Sequence, residues 1–357
     1  MTKARATTPP IPSELAATLK GAKLTHASDL GPGLGRKRAG KGFSYKGLDG
    51  RALRDKELLA RLKALAIPPA WKEVWICPEA TGHIQATGRD ERGRKQYIYH
   101  ADWGVYRDTA KFEHMLTFGE KLPRIRRRVA RDLSLDGLPK DKVLAVVVRL
   151  LEITLIRVGN STYAESNGSY GLTTLRKKHV DVSGTTVEFD FVGKSGQEWE
   201  VVLKDARLAR IIRRCEELPG YQLFKYIDDK GEARSIESAD VNEYLREITG
   251  EDVTAKDFRT WAGTVAATLF LTELEPFTSK TQATKNVTGV IKEVAKKLGN
   301  TPAICRKSYV HPDVLTCYLE GTLAGQLAAK KSGTVPRGLY KEERSVLTFL
   351  RRLEAAR

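Results

Sequence analysis

The sequence predicts an α+β protein in two parts: a small β-rich module followed by a larger, mainly α-helical part that carries a β-hairpin. Three observations lead there. Short strand-like runs punctuated by glycine fill the stretch before His100, and apolar residues at helical spacing dominate after Pro123. Within that helical regime the period drops to two between His179 and Leu203. A chain of 357 residues is enough for about two domains, and 41% hydrophobic against 29% charged residues exceeds what a disordered polycation carries.

Residues 1–22, rich in Pro, Thr and Ala, read as a flexible basic tail, and 23–105 as the β-rich module. There, Asp55 to Ala66 has helical periodicity stopped by Pro68 and Pro69, and strand-like runs follow at Val74 to Cys77 and Gln96 to His100. Gly31, Gly33 and Gly35 read as a flexible basic loop, because Leu30 ends no convincing strand. Residues 106–123 form a charged linker, 124–325 the helical domain and 326–357 a basic C-terminal extension.

In the helical domain Asp141 is placed to cap a run in which Val143, Leu144, Val147, Leu151 and Leu155 recur at helical spacing, with Arg157 at its end. Val187, Phe189 and Phe191, then Trp199, Val201 and Leu203, alternate with polar neighbours around a hairpin turn at Gly193-Lys194-Ser195-Gly196. Thr254 and Asp257 have capping-box spacing and open a helix through Arg259, Trp261, Val265 and Leu269. Another helix covers about Val290 to Leu298, with Gly299 in the position expected just past its end. After Gly321 the chain is basic and helical, with Leu347, Leu350 and Leu353 on one side.

No stretch reaches the roughly 18 uninterrupted apolar residues of a spanning helix, and the N-terminus has no apolar export segment, so a cytoplasmic protein without membrane association is expected. Cys77, Cys215, Cys305 and Cys317 lie far apart without metal-ligand spacing and read as reduced thiols. Gly193-Lys194-Ser195 is not a P-loop, because Glu188 stands where that loop needs glycine. Asn167 spoils a nucleophile elbow at Ser169, and Asp228 with Asp229 reads as a solvated turn. No cofactor and no metal is expected.

The charge balance of +17 points to a polyanionic partner through steering and counterion release. Nine basic residues lie between Arg36 and Arg61 against Asp49, Asp55 and Glu57, and Lys121 to Arg131 holds Lys121, Arg124, Arg126, Arg127, Arg128 and Arg131 with no acid. Arg89 to Tyr99 interleaves basic residues with Gln96, Tyr97 and Tyr99, a mixture suited to phosphates and base edges of double-stranded DNA. A protein without a metal can still transfer phosphoryl groups if cationic side chains stabilise the transferring group. Arg157, Lys194, Arg259 and Tyr309, in that order, are the candidates.

The blocks Ile156-Arg157-Val158-Gly159-Asn160, Gly171 to Arg176 with Lys178-His179-Val180, Gly193 to Gly196, Lys256 to Trp261 and Ser308-Tyr309-Val310 closely resemble type IB DNA topoisomerases of the bacterial, poxvirus-like branch. Gly88-Arg89-Asp90 and Gly93 to His100 resemble the same family's DNA-clamping domain, and the likeness runs from about Phe43 to Gly321. The resemblance implies the tyrosine recombinase and topoisomerase IB fold, ATP-independent relaxation of supercoiled DNA, and attack by Tyr309 to form a 3′-phosphotyrosyl link. It makes Arg157 and Arg259 the donors to the phosphate, Lys194 the general acid, and Lys256 either a helper in that proton transfer or a surface lysine in a first helical turn. It implies DNA contacts from Arg94, Lys95, Gln96, Tyr97 and Tyr99, with Tyr163 contributing from the helical domain. Tyr97 and Tyr99 could equally pack a small core.

One position departs from the family pattern. Nine residues before the nucleophile many members place histidine, and here Asn300 is either a neutral donor to a phosphate oxygen or a helix-end residue before Pro302. A monomer is expected. The rival readings are a tyrosine recombinase, which usually carries His-x-x-Arg where this chain has Lys256-Asp257-Phe258-Arg259, and a DNA-binding protein without chemistry.

Overall fold

The computed structural model describes residues 19–40, 42–91, 93–329 and 335–356; the side chains of 105–110, 113 and 163 lie outside the described set. The expected tail 1–22 falls almost wholly outside it. The chain divides into two compact units, Met1–Lys111 and Phe112–Arg357.

The first unit is built on a five-stranded antiparallel sheet in the order β2-β1-β3-β4-β5. The strands are β1 (Leu34–Ala39), β2 (Gly42–Lys46), β3 (Lys72–Ile76), β4 (Ile84–Arg89) and β5 (Lys95–Tyr99), with helix α1 (Lys56–Ala64) between β2 and β3. Asp55 caps α1 by accepting from Leu58 N at 3.0 Å. Leu34, Tyr45, Leu62, Ile67, Ile76 and Ala86 form its core. Of the expected loop at Gly31, Gly33 and Gly35, the first two glycines do lie outside any strand, whereas Gly35 belongs to strand β1. Only Leu34 and Tyr45 of the β1–β2 ribbon are buried, so its basic remainder carries no alternating apolar signal.

Helix α2 (Ala101–Asp132) takes in all of 106–123, the segment expected as a linker, and the unit boundary falls inside it. The second unit continues with α3 (Lys140–Thr154) and α4 (Ser161–Asn167). A three-stranded antiparallel sheet follows, of β6 (Val180–Ser183), β7 (Thr186–Val192) and β8 (Glu198–Lys204), in the order β6-β7-β8. Helix α5 (Ala206–Glu217), the ribbon of β9 (Lys225–Ile227) and β10 (Ala233–Ser235), and helices α6 (Ser238–Thr249), α7 (Ala255–Thr272) and α8 (Lys280–Lys297) come next. Helices α9 (Pro302–Ser308), α10 (Pro312–Leu319), α11 (Leu323–Ala328) and α12 (Lys341–Ala355) complete it. No helix among the described residues is long and apolar enough to cross a membrane.

Two local expectations change. Pro139, not Asp141, is the N-cap of α3; Asp141 lies in its first turn and accepts from Arg128 Nη2 at 2.8 Å. Arg157 is not the end of that helix, because Leu155 turns into the left-handed region (φ 58°) and Arg157 follows in non-helical backbone. The capping box at α7 forms as its spacing predicts, with Asp257 Oδ2 accepting from Thr254 N at 2.8 Å.

The C-terminal extension is part of the core of the second unit. Val346, Leu347, Phe349 and Leu350 of α12 are buried in it. Arg126 on α2 donates to Glu152 on α3 at 2.6 Å and to both oxygens of Glu343 on α12 at 2.8 Å, and Trp261 Nε1 on α7 reaches Glu343 at 3.3 Å. A buried charge needs this degree of pairing to be tolerated.

Asp132 closes α2 in the same way. Its carboxylate, 1% exposed, accepts from Arg128 Nε, from Tyr244 Oη at 2.8 Å and from Arg131 Nε at 2.9 Å. Burial alone would raise its pKa, but the hydrogen bonds from Arg128, Tyr244 and Arg131 outweigh it and hold the carboxyl below its ordinary range. Asp132→Asn is expected to cost about 2 kcal/mol of unfolding free energy at neutral pH. A depressed carboxylate stabilises the fold above its unfolded pKa, and that share is lost as pH falls through the folded one. In urea titrations the gap between wild type and variant therefore narrows below roughly pH 4.

Candidate active site

Arg259 lies one turn into α7 and is 3% exposed. Its guanidinium donates to Leu155 O, beyond the last turn of α3, and to Leu298 O, beyond the last turn of α8, at 2.5 Å. These carbonyls belong to helix C-termini, where unpaired oxygens and the helix dipole both favour a cation. Burial, and then the neighbouring Arg157, pull its pKa down to about 10, which leaves it a cation at neutral pH. Its Nε is buried with no hydrogen-bond partner.

Arg157 is fixed through its backbone, whose carbonyl accepts from Leu172 N at 2.9 Å, while Val158 O accepts from Thr173 N at 2.7 Å. Its Nη2 donates to Gly299 O at 3.1 Å and to Asn300 Oδ1. A guanidinium has no acceptor, so that contact orients the Asn300 amide and leaves Nδ2 as the remaining donor, which is buried and without a partner. Burial lowers the Arg157 pKa, and Tyr309 partly offsets this.

Tyr309 caps the C-terminus of α9, with its N–H on Cys305 O at 2.9 Å. The Arg259 guanidinium carbon stands 5.2 Å from the centre of its ring. Main-chain contact with α7 sets its position: Thr264 Oγ1 donates to Tyr309 O at 3.4 Å, and a Cβ on Gly263 would come within 2.5 Å of that oxygen. Burial alone would raise the phenol's pKa. The charge and hydrogen bond of Arg259, then the charges of Arg157 and Lys256, more than reverse this and place it below the usual tyrosine value.

Lys194 stands exposed at the tip of the β7–β8 hairpin, and Lys256 is the second residue of α7. Arg157, Lys194, Lys256, Arg259 and Tyr309 all line one cavity of about 340 Å³. Asn300 joins this group through Arg157. The sequence reading missed Asn160, Ser169 and Tyr170, which line the same cavity. Tyr170 carries a signal only in three dimensions, where its N–H bonds Val192 O at 2.9 Å and Arg176 lies 5.3 Å above its ring.

The candidate DNA contacts of the first unit lie on β5. Tyr97 and Tyr99 share one face, stack with centroids 5.9 Å apart, and are 43% and 41% exposed. Lys95 lies on that face, paired with Asp29 at 2.5 Å, and Arg94 is paired with Asp90 at 2.7 Å. Gln96 points to the opposite side of the strand, where its amide donates to Asp90 Oδ2 at 2.9 Å. The side chain of Tyr163 lies outside the described residues.

The family model described as Eukaryotic DNA topoisomerase I, catalytic core, matches residues 95–328, and that described as Bacterial DNA topoisomerase IB, N-terminal domain, matches residues 42–90. The chain is 32% identical over 293 residues to DNA topoisomerase 1B of Acanthamoeba polyphaga mimivirus, covering 80% of this chain and 87% of that protein. It is 24% identical over 247 residues to DNA topoisomerase 1B of vaccinia virus (strain Copenhagen), covering 69% and 75%. With DNA topoisomerase 1 of rabbit fibroma virus (strain Kasza) it shares 24% identity over 298 residues, covering 77% and 88%.

The electrostatics of the cavity give a spectroscopic expectation. Arg259→Gln removes the largest influence that lowers the Tyr309 pKa and leaves the burial that raises it. Titration of ¹³Cζ-labelled tyrosine by NMR should therefore show the Tyr309 phenol moving upward in the variant.

Proposed function

Since the chain belongs to the bacterial, poxvirus-like type IB DNA topoisomerases, we propose that Tyr309 is the nucleophile with which it cuts and reseals one strand of duplex DNA. The enzyme relaxes supercoiled DNA without ATP, by transient single-strand cleavage through a 3′-phosphotyrosyl intermediate, strand rotation and religation. One observation carries the residue assignment: Arg157, Lys194, Lys256, Arg259 and Tyr309 converge on one cavity from separate stretches of chain.

In this reading the Tyr309 phenol, acidified by its cationic neighbours, loses its proton to solvent water and attacks phosphorus. As the Oη–P bond forms, the bond from phosphorus to the 5′ oxygen breaks. Arg157 and Arg259 face the two non-bridging oxygens, and the unpaired Nε of Arg259 and Nδ2 of Asn300 are donors in reserve for them. The departing alkoxide is too basic to leave unprotonated, and Lys194, on a hairpin tip, supplies the proton with help from Lys256. The ester energy stays in the phosphotyrosine, so attack by the free 5′ hydroxyl reverses every step.

Tyr97 and Tyr99 offer an exposed aromatic face to the groove, and Arg94 and Lys95 engage phosphates by exchanging their carboxylate partners. Gln96 reaches a base edge only by leaving Asp90. We take the enzyme to act as a monomer on the nucleoid in the cytoplasm, because one chain supplies every group of the cavity and its charge of +17 favours DNA.

Tyr309→Phe is expected to leave supercoiled plasmid unrelaxed and to give no covalent protein–DNA band on a denaturing gel; a band from the variant would remove the assignment. Asn300→Ala should slow single-turnover cleavage by about 100-fold, the usual effect of losing one oxyanion donor. Gly263→Ala, which pushes on the Tyr309 carbonyl, should slow cleavage by about 100-fold while DNA affinity in a filter-binding assay stays near wild type.

A further inference from the structure

Lys194 poses a physical problem for its assigned role. It is exposed at the first position of a three-residue loop, Lys194-Ser195-Gly196, closed by Gly193 N on Gln197 O at 2.7 Å. A lysine has a long flexible stem, so its ammonium reaches a fixed atom often only if the loop beneath it is fixed. Among the described residues the hairpin has a main-chain tie to the cavity wall, Tyr170 N on Val192 O at 2.9 Å.

Trp199 supplies a second tie. It is the cross-strand partner of Phe191, with ring planes 3° apart and centroids at 6.3 Å. Its indole lies over two glycine backbones at once. A Cβ on Gly193 would fall 2.9 Å from Cδ1 and Nε1, and a Cβ on Gly299 would fall 2.7 Å from Cζ2. Gly193 is the residue before Lys194. Gly299 O accepts from Arg157, and the next residue, Asn300, holds the same guanidinium. One rigid ring therefore spans the root of the loop that carries Lys194 and the backbone that holds Arg157.

We propose that Trp199 is a positioning residue that sets Lys194 against the Arg157 and Asn300 side of the cavity, and so governs protonation of the leaving 5′ oxygen. This rests on Lys194 being the general acid. Trp199 is not among the described residues that line the cavity, so its loss is expected to fall mainly on the step that needs a proton delivered.

The leaving group tests this. In a duplex whose scissile phosphate carries sulfur in place of the bridging 5′ oxygen, the bond from phosphorus to sulfur breaks and a thiolate leaves with the electron pair, needing no proton. Single-turnover cleavage is measured on the oxygen and sulfur substrates with wild type, Lys194→Ala, Trp199→Ala and Trp199→Phe, with circular dichroism and non-covalent DNA affinity as controls. Trp199→Ala should be slowed roughly 10-fold to 100-fold on oxygen and should return to within about threefold of wild type on sulfur. Trp199→Phe keeps a ring against Phe191 but withdraws from Gly299, and should show the same oxygen-selective defect at smaller amplitude. This keeps the test open if Trp199→Ala does not fold. A Trp199 defect equal on both substrates, or no defect on oxygen, overturns the proposal. Failure of sulfur to rescue Lys194→Ala overturns the general-acid reading instead, and the two failures are read from different variants.

Discussion

A guanidinium at 3% exposure keeps its charge only where other oxygens replace the water it has left, and Arg259 finds them at the ends of two helices. That requirement organises the second unit. Helix α3 must end at Leu155 in a left-handed turn, and α8 must end beside it at Leu298, before either carbonyl can point at the same side chain. Both turns then lead directly into proposed site residues, Arg157 two residues after the first and Asn300 two residues after the second. The cation that satisfies the helix ends is thus also what draws the cavity together.

The same arrangement stores electrostatic tension of a useful sign. The charge of Arg157 disfavours that of Arg259, and burial disfavours both, whereas the Tyr309 phenol relieves them as it ionises. A phosphodiester brings negative charge to the same place, and the transition state adds to it. Groups held in place before the substrate arrives need no rearrangement at the moment of reaction, which is where preorganised electrostatics derives its effect. The pairing of Lys95 with Asp29 and Arg94 with Asp90 follows another logic, since the phosphate contacts proposed for these side chains would exchange one anion for another and so favour reversible binding.

Much of this was legible in the sequence where a signal is local. The alternation from Val187 to Leu203 sets the β7–β8 hairpin, and Thr254 with Asp257 marks the start of α7 because a capping box needs only three residues of separation. Strands β1 and β2 were not legible, since a ribbon with two buried side chains leaves no period to read. Neither was the role of Pro139, whose backbone does the work an acidic side chain was expected to do. Tyr170, Gly263 and Trp199 matter through partners far along the chain, and no window of sequence contains both members of such a contact. The four reactive types were recognisable as a spaced set; what drew them to one cavity was not.

Asn300 shows why chemistry depends on partners as much as on residue type. As an isolated replacement for histidine, an amide loses a charge and a titratable proton. In place, its oxygen is committed to Arg157, a guanidinium that lines the cavity, and its buried amide nitrogen is left as a donor without a partner among the described residues. Among the described residues lining the cavity there is no imidazole, and the ionisable groups there are phenol, ammonium and guanidinium. The Arg259 guanidinium, even lowered to about 10, keeps its charge through the neutral range. In the proposed reaction proton delivery falls to Lys194, and the ring of Trp199 joins the root of its loop to the backbone that holds Arg157.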